Sequence, residues 1–277
     1  MKNTKQIIFQ GVEIPECNLK RFSPDSLYIP DFCKKHLEMD STTIFQSLMD
    51  VQFAPRDHRG MFYRGNPLNR TKLFAVDDLK AQVPIYTYTG FQYESLQFYQ
   101  ELKDIPAVKD LVENFNTKIH VVDGSEKSIS YPEINHVIGT LYQDEEDYIG
   151  YHHDKDKTFA KDSFVYILSL GGIREFHLKE VQSGIVTPLV LTPGSLFVLG
   201  PKTNQLFQHC IPPSKDNLLL QETKVNPRIS LCLRHIINRI SRVDLDRRIQ
   251  QSLAMKSKKK RSRENDNEPS KRRRKVA

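Results

Sequence analysis

The chain has 277 residues, 38% of them hydrophobic and 27% charged, which is enough to bury one sizeable core. No apolar run approaches the roughly 18 residues that span a bilayer, and the first residues lack the apolar stretch of a secretory signal. We therefore expect a soluble intracellular protein with no membrane partner. The net charge of +7 is local, because residues 256–277 carry eleven Lys and Arg against three acids, which leaves −1 for the rest of the chain.

The first half of the sequence predicts an arm followed by helices. Residues 1–24 are expected to form an N-terminal arm with short strand-like segments. Apolar residues at helical spacing predict a helix from Lys34 to Met49. The segment Pro55–Asn69, rich in Arg, Gly and Pro, is predicted as a loop, and Pro84–Gly90 as a short strand. Residues 96–115 predict one or two helices interrupted by a proline.

After residue 132 the pattern becomes that of short β-strands. Turns marked by Gly and Pro separate eight apolar or β-branched runs, which is typical of an all-β sandwich or barrel. Because helices precede these strands, we expect an α+β fold with one folded domain over residues 25–238. The predicted strands are His136–Tyr142, Ile149–Asp154, Phe164–Leu170, Arg174–Leu178, Val186–Leu191, Ser195–Leu199, Asn204–Cys210 and Arg228–Ile236.

The last segment, residues 239–277, is polar and strongly charged. Self-repulsion and a lack of apolar residues predict a mostly disordered tail. Its two basic clusters, Lys256–Arg261 and Lys271–Lys275, resemble a bipartite nuclear localisation signal. We therefore expect the nuclear-import machinery as a partner and the nucleus as the location. Non-specific binding of phosphates by the same charges is compatible with this prediction.

The motif that carries chemistry is an H-x-D pair. His152 and Asp154 lie two residues apart in a predicted strand, so their side chains point to the same face, while His153 points away. An imidazole beside a carboxylate provides two ligands of a 2-His-1-carboxylate iron site, which leaves positions open for a chelating cosubstrate and oxygen. The third ligand would be a histidine from another strand. The downstream candidates are His177, His209 and His235.

Two arginines near the end of the predicted domain suit such a cosubstrate. Arg228 and Arg234 lie six residues apart in an apolar, β-branched run, so they share one strand face about 20 Å apart. Guanidinium groups pair bidentately with carboxylates and keep their charge. The two arginines could therefore hold the two ends of a small dicarboxylate, although structural ion pairs would give the same pattern.

The order of these motifs resembles the AlkB family of iron(II)/2-oxoglutarate nucleic-acid dealkylases, most closely the branch that repairs alkylated bases. The family's H-x-D … H and R-x5-R patterns are matched by His152, Asp154, His209, Arg228 and Arg234. Segments around these residues match as well, namely Ile149–Asp154, Pro193–Leu196 and Pro201–Asn204. The likeness runs from about residue 26 to residue 236.

The resemblance implies a double-stranded β-helix (jelly-roll) core that uses Fe(II), 2-oxoglutarate and O2. By this likeness His152, Asp154 and His209 hold the metal. The residues that would contact 2-oxoglutarate are Thr140, Tyr142, Arg228, Ser230 and Arg234. Thr140 and Ser230 stand where the family usually has asparagine, and both are shorter hydrogen-bonding partners.

The same resemblance implies contacts with a base. Asp156 matches an acidic residue beside the target base, which makes it the candidate catalytic residue outside the metal ligands. Tyr86 and Tyr88 match aromatic residues near a flipped base, and Arg56 belongs to a loop whose arginines could hold phosphates. A strand with buried tyrosines and a solvated loop would give the same pattern.

The implied function is oxidative dealkylation of N-alkylated bases in DNA or RNA, with release of formaldehyde, succinate and CO2. One alternative is an Fe(II)/2-oxoglutarate hydroxylase that acts on proteins or small molecules, and it would have the same barrel. A second alternative is a non-catalytic reader of modified nucleic acid. A complete set of three metal ligands argues against the reader.

Overall fold

The computed structural model describes thirteen segments of the chain. They are residues 6–9, 12–13, 25–51, 62–63, 66–67, 71–76, 82–85, 99–122, 128–129, 133–154, 159–160, 163–220 and 226–266. The strands in them are β1 (Gln6–Phe9), β2 (Val12–Glu13), β3 (Leu27–Ile29), β4 (Phe62–Tyr63), β5 (Asn66–Pro67), β6 (Thr71–Val76), β7 (Gln82–Pro84), β8 (Tyr99–Glu101), β9 (Ile119–Val122), β10 (Ser128–Ile129), β11 (His136–Tyr142), β12 (Ile149–His152), β13 (Val165–Gly171), β14 (Arg174–Glu180), β15 (Val186–Leu191), β16 (Leu196–Leu199), β17 (Phe207–Ile211), β18 (Arg228–Arg234) and β19 (Arg239–Ser241). The α-helices are α1 (Ser41–Met49), α2 (Pro106–Lys118), α3 (Pro201–Leu206) and α4 (Arg242–Asp266). No helix in these segments combines the length and the apolar character needed to cross a membrane.

Strands β11 to β18 are distributed over two facing sheets. β11, β13, β16 and β18 belong to a seven-stranded sheet of order β3-β16-β13-β18-β11-β6-β8, while β12, β14, β15 and β17 form a sheet of order β12-β17-β14-β15. The pairings among these eight strands are antiparallel. This distribution is that of a double-stranded β-helix, and with the helices it confirms the predicted α+β class.

Strand β18 separates two apolar cores because its alternate residues face opposite ways. Leu231 and its neighbours of the same parity pack with buried residues of α1 and α2. Cys232, on the other face, packs between the two sheets, as does Ile138 of β11. Arg228 and Arg234 have the parity of Cys232, so both point into the space between the sheets, as predicted from their spacing.

The helix predicted from Lys34 to Met49 is wrong as one element. A π-helical turn over Cys33–Leu37 ends at Glu38, whose φ of 58° is left-handed, and α1 begins only at Ser41. The break is stabilised by Asp40, whose carboxylate accepts hydrogen bonds from the backbone N–H groups of Thr42 (3.0 Å) and Thr43 (3.2 Å). An aspartate at this position satisfies donors that a helix N-terminus leaves unpaired.

Three other predicted elements differ in kind or bounds. The helical segment 96–115 contains β8, a 3-10 turn over Leu102–Asp104 and then α2, which begins at Pro106 because proline fits the first helical turn. The predicted loop Pro55–Asn69 contains the paired strands β4 and β5. The predicted strand Asn204–Cys210 begins with the end of α3 and becomes extended only at Phe207.

The predicted change to a disordered tail after residue 238 is too early. Strand β19 pairs with β7, and Leu245 and Ile249 of α4 are buried in the core between the sheets. These two residues lie four apart, so one apolar stripe fixes the start of this otherwise polar helix. Residues 267–277, with the second basic cluster, lie outside the described segments.

Candidate metal centre

Three side chains predicted as metal ligands lie together at one edge of the four-stranded sheet. His152 ends β12 and pairs directly with His209 of β17, and their ring centroids are 4.2 Å apart. Asp154 follows two residues later. One ligand atom from each residue lies within 4.8 Å of the other two. Two imidazoles and one carboxylate at this separation can share a single metal ion.

The surroundings of the two histidines suit metal binding. His152 Nδ1 donates to the carbonyl oxygen of Gly150 at 2.9 Å, which leaves Nε2 with its lone pair for a metal. The His209 ring stacks on Phe176, with centroids 5.5 Å apart. Burial and the nearby His152 lower the pKa of His209 to about 3, so His209 is neutral at physiological pH.

The carboxylate ligand is buried and paired with an arginine. Arg234 Nη2 lies 2.9 Å from one carboxylate oxygen of Asp154 and 3.0 Å from the other. Burial alone would raise the pKa of Asp154, but Arg234, His209 and His152 together bring it down to about 2. Asp154 is therefore ionised before any metal binds, which is the form that ligates.

The second predicted arginine lies at the other end of the same strand face. Arg228 is fully buried, donates from Nη2 to Ser169 Oγ at 2.9 Å, and has its guanidinium carbon 5.4 Å from the centroid of the Tyr142 ring. Its Nε and Nη1 have no hydrogen-bond partner among the described residues, and no described carboxylate forms an ion pair with it. A buried cation with vacant donors indicates a site for an anionic group.

Polar residues adjoin the Arg228 end of this face, and the apolar pair Ile138 and Cys232 separates them from Arg234. Across β11 and β18, Tyr142 pairs with Arg228 and Thr140 pairs with Ser230. Thr140 and Ser230 are both buried, and each lies two residues along its strand from Tyr142 or Arg228, on the same strand face. Their role as 2-oxoglutarate contacts remains a prediction.

The other candidate histidines have different partners. His177 Nε2 lies 2.8 Å from the buried carboxylate of Glu175, and His235 Nδ1 contacts the carbonyl oxygen of Glu133. His153 Nδ1 donates to the carbonyl oxygen of Asn204 at 2.6 Å, so it does not join the cluster. Of the three downstream candidates, the structure brings only His209 to the H-x-D pair.

Four predicted substrate residues cannot be placed. Arg56, Tyr86, Tyr88 and Asp156 lie outside the described segments, so their roles remain predictions from the sequence.

Three polar residues near this site were not predicted from the sequence. Ser169 of β13 contacts Arg228. Arg174 is buried, has its guanidinium carbon 5.8 Å from the Tyr142 ring centroid, and donates to Ser214 and to the carbonyl oxygen of Asp144. Asn204 binds the backbone of Asp154 through its side chain. Of these three residues, only Asn204 could have been found from the sequence, because it lies in the segment Pro201–Asn204 that matches the AlkB pattern.

The donor set and the buried arginine fit ferrous iron and a dicarboxylate. Two histidines and a carboxylate on one side of a metal are typical of non-haem Fe(II) oxygenases. Arg228 would hold the distal carboxylate of 2-oxoglutarate, because its free donors face no anion in the described segments.

A family model described as the 2OG-Fe(II) oxygenase superfamily matches residues 26–234, which is most of the chain and includes all of these side chains. The chain belongs to this superfamily. Fe(II) and 2-oxoglutarate are therefore its cofactor and cosubstrate, and the three clustered side chains are its candidate iron ligands.

This 2OG-Fe(II) oxygenase has distant relatives among proteins of known activity. It is 29% identical to the DNA oxidative demethylase ALKBH2 of Mus musculus over 111 residues, which cover 37% of this chain and 44% of that protein. It is also 29% identical to the DNA oxidative demethylase ALKBH2 of Bos taurus over 119 residues, which cover 40% of each chain. The matched segments therefore span less than half of these relatives.

Solved structures also align with the chain. The structure of OsALKBH1 aligns with a TM-score of 0.46 and 14% identity, covering 76% of this chain and 97% of that one. An oxidoreductase of the 2OG-Fe(II) oxygenase family from Burkholderia pseudomallei aligns with a TM-score of 0.40 and 15% identity, covering 78% of this chain and 86% of that one.

Proposed function

We propose that this oxygenase removes alkyl groups from the nitrogen atoms of bases in DNA or RNA. The observation that carries the proposal is the sequence similarity to two proteins named as DNA oxidative demethylases. The order of His152, Asp154, His209, Arg228 and Arg234 supports it, because it resembles the AlkB pattern.

With Fe(II) bound, O2 would be the oxidant: one oxygen atom would go to 2-oxoglutarate, which would lose CO2 and become succinate, and the other would hydroxylate the N-linked carbon. The hydroxylated group then leaves as an aldehyde and restores the base. His152, Asp154 and His209 would hold the metal, and Arg228 would orient the cosubstrate. Arg234 keeps the carboxylate ligand ionised and fixed.

The position of the metal ligands bears on how a base would reach them. Asp154 and His209 are buried, whereas His152 is half-buried on β12, the edge strand of its sheet. A base stacked inside a duplex cannot reach such a site, so the target base must be flipped out or single-stranded. Tyr86 and Tyr88 are proposed to stack on this base and Asp156 to lie beside it, while Arg56 would hold a phosphate.

The test is mass spectrometry of methylated DNA and RNA oligonucleotides after incubation with protein, Fe(II) and 2-oxoglutarate. We expect loss of N-methyl groups with matching amounts of formaldehyde and succinate, and none of these with His209→Ala. Methylated peptides form the comparison arm. Hydroxylated peptides with unchanged oligonucleotides would favour a protein hydroxylase, and tight oligonucleotide binding without succinate would favour a reader; either result contradicts the proposal.

We also propose that the basic tail directs the protein to the nucleus. Residues 256–277 carry a net charge of +8 in two clusters, the pattern that import receptors bind. A tagged protein truncated after residue 255 should spread through the cell, and replacing Lys271–Lys275 by glutamine should have the same effect. Nuclear accumulation of the truncated protein would contradict this assignment.

A further inference from the structure

Asp154 lies just beyond the strand that positions the first iron ligand. β12 ends at His152, and its last pairing with β17 is the one between His152 and His209. Asp154 therefore lies two residues beyond the last pairing of β12 with β17. Its carboxylate is held by Arg234, but a side-chain contact alone does not fix where the main chain of the ligand runs.

The side chain of Asn204 pairs with the backbone of Asp154. Asn204 Oδ1 accepts a hydrogen bond from the Asp154 N–H at 2.8 Å, and Asn204 Nδ2 donates to the Asp154 carbonyl oxygen at 2.7 Å. One amide thus satisfies both polar groups of a buried residue, in the manner of a neighbouring strand. The carbonyl oxygen of Asn204 also accepts a hydrogen bond from His153 Nδ1. This bond holds His153, which lies between the ligands His152 and Asp154 in the sequence, against Asn204.

Asn204 is itself held in place through helix α3. The carboxylate of Asp25 accepts hydrogen bonds from the backbone N–H groups of Lys202 (2.9 Å) and Thr203 (2.8 Å), and from Thr203 Oγ1 (2.7 Å). At Gly200, which precedes the helix, a side chain would collide with Asp25. A six-residue helix with this anchor presents Asn204 to Asp154 in one orientation.

We propose that Asn204 is a positioning residue for the iron site and sets the metal affinity by fixing the main chain of the carboxylate ligand. Arg234 then orients the carboxylate, and Asn204 fixes the position of the residue that carries it. Without the amide, the Asp154 backbone loses these two hydrogen bonds in a buried place, and the residue is expected to shift or to admit water. Outer-shell partners of metal ligands typically change metal affinity by 10–100-fold when they are mutated.

The test is titration of the metal-free protein with Co(II), which accepts the same nitrogen and oxygen ligands and can be followed by its visible absorption. We expect Asn204→Ala to raise the Co(II) dissociation constant by about 10–100-fold. The matched control is Gln205→Ala, which changes the next residue of the same helix, an exposed one, and should leave the dissociation constant unchanged. Each titration is made at a temperature where circular dichroism shows every variant fully folded, so a loss of fold does not pass for a loss of affinity.

A second variant, Asn204→Asp, tests the role of Asn204 if Asn204→Ala does not fold. Asn204→Asp keeps the shape and the acceptor for the Asp154 N–H, but it replaces the donor by an oxygen that faces the Asp154 carbonyl. We expect this folded variant to lose at least tenfold in Co(II) affinity. A dissociation constant within twofold of the wild type in a folded Asn204 variant would overturn the proposal. Because the readout is metal binding, the result is independent of whether the substrate is a nucleic acid.

Discussion

Replacing Arg234 by methionine tests how the carboxylate ligand is stabilised before metal binds. The side chains of Arg234 and Asp154 are only 6% and 5% exposed, and their closest nitrogen and oxygen atoms are 2.9 Å apart. Removing one partner of such a pair leaves the other charge buried, which costs about 3–5 kcal/mol. We expect the free energy of unfolding of the metal-free protein to fall by about this amount at pH 7.

The loss should shrink as the pH falls. In the wild type the pKa of Asp154, at about 2, lies below its ordinary value of 3.8, so its contribution to stability is full above pH 3.8 and disappears as the pH falls through 2. Without Arg234 the pKa of Asp154 rises, because burial is then opposed only by the two histidines. Arg234 also lowers the pKa of His136, so its removal makes both groups easier to protonate in the folded state.

The assay is urea unfolding of the metal-free proteins at pH 7 and pH 4.5. The matched control is Arg242→Met, which breaks the pair with Asp246, whose side chains are 43% and 53% exposed, and which should cost less than about 0.5 kcal/mol. If Arg234→Met costs no more than Arg242→Met, or if its cost is the same at both pH values, Arg234 does not stabilise the ionised Asp154.

Three further predictions concern the cosubstrate, acid stability and a helix cap. Arg228→Met should weaken 2-oxoglutarate binding to the Co(II)-loaded protein by at least about 30-fold, and Arg228→Lys should weaken it by less. Titration calorimetry that gives affinities within twofold for Arg228→Met and the wild type would contradict this. Burial and Arg234 lower the pKa of His136 to about 3, so its contribution to stability is complete above pH 6.5 and is lost as the pH falls towards 3. His136→Gln should therefore remove roughly 1 kcal/mol of the destabilisation that the wild type shows between pH 7 and 5.5. If urea unfolding gives the wild type and this variant the same change in unfolding free energy over that pH range, the prediction is wrong. Asp40→Ala should cost about 1 kcal/mol by removing the cap of α1, against little change for the exposed Gln46→Ala in the same helix; equal thermal midpoints for the two variants would exclude the cap.

Short-range periodicity was sufficient to predict part of the iron site. Residues two apart in a strand share a face, which predicted that His152 and Asp154 lie together and that Arg228 and Arg234 lie on one side of β18. The first pair is found together although β12 ends at His152, because hydrogen bonds with Arg234 and Asn204 hold Asp154 just beyond the strand. The third ligand was different. His177 and His209 are both in β-strands, and only the pairing of β12 with β17 decides between them. Strand order is not encoded in local spacing, so the choice of His209 depended on the family resemblance.

The supporting contacts could not be read from the sequence because they join distant residues. Asn204 and Asp154 are 50 positions apart, and Ser169 and Arg228 are 59 apart. Local composition was misleading at α4. Its polar, charged sequence predicted disorder, although Leu245 is buried. A single apolar stripe is too weak a signal to outweigh the charge of the surrounding residues.

We expect His152, Asp154 and His209 to bind one ferrous ion at which 2-oxoglutarate is consumed. The most direct measurement is anaerobic Fe(II) binding followed by succinate formation after addition of 2-oxoglutarate and oxygen, compared between wild type, His209→Ala and His177→Gln. We predict one Fe(II) per chain and iron-dependent succinate in the wild type and in His177→Gln, and neither in His209→Ala. Full Fe(II) binding and succinate formation by a folded His209→Ala protein would contradict the assignment of the site.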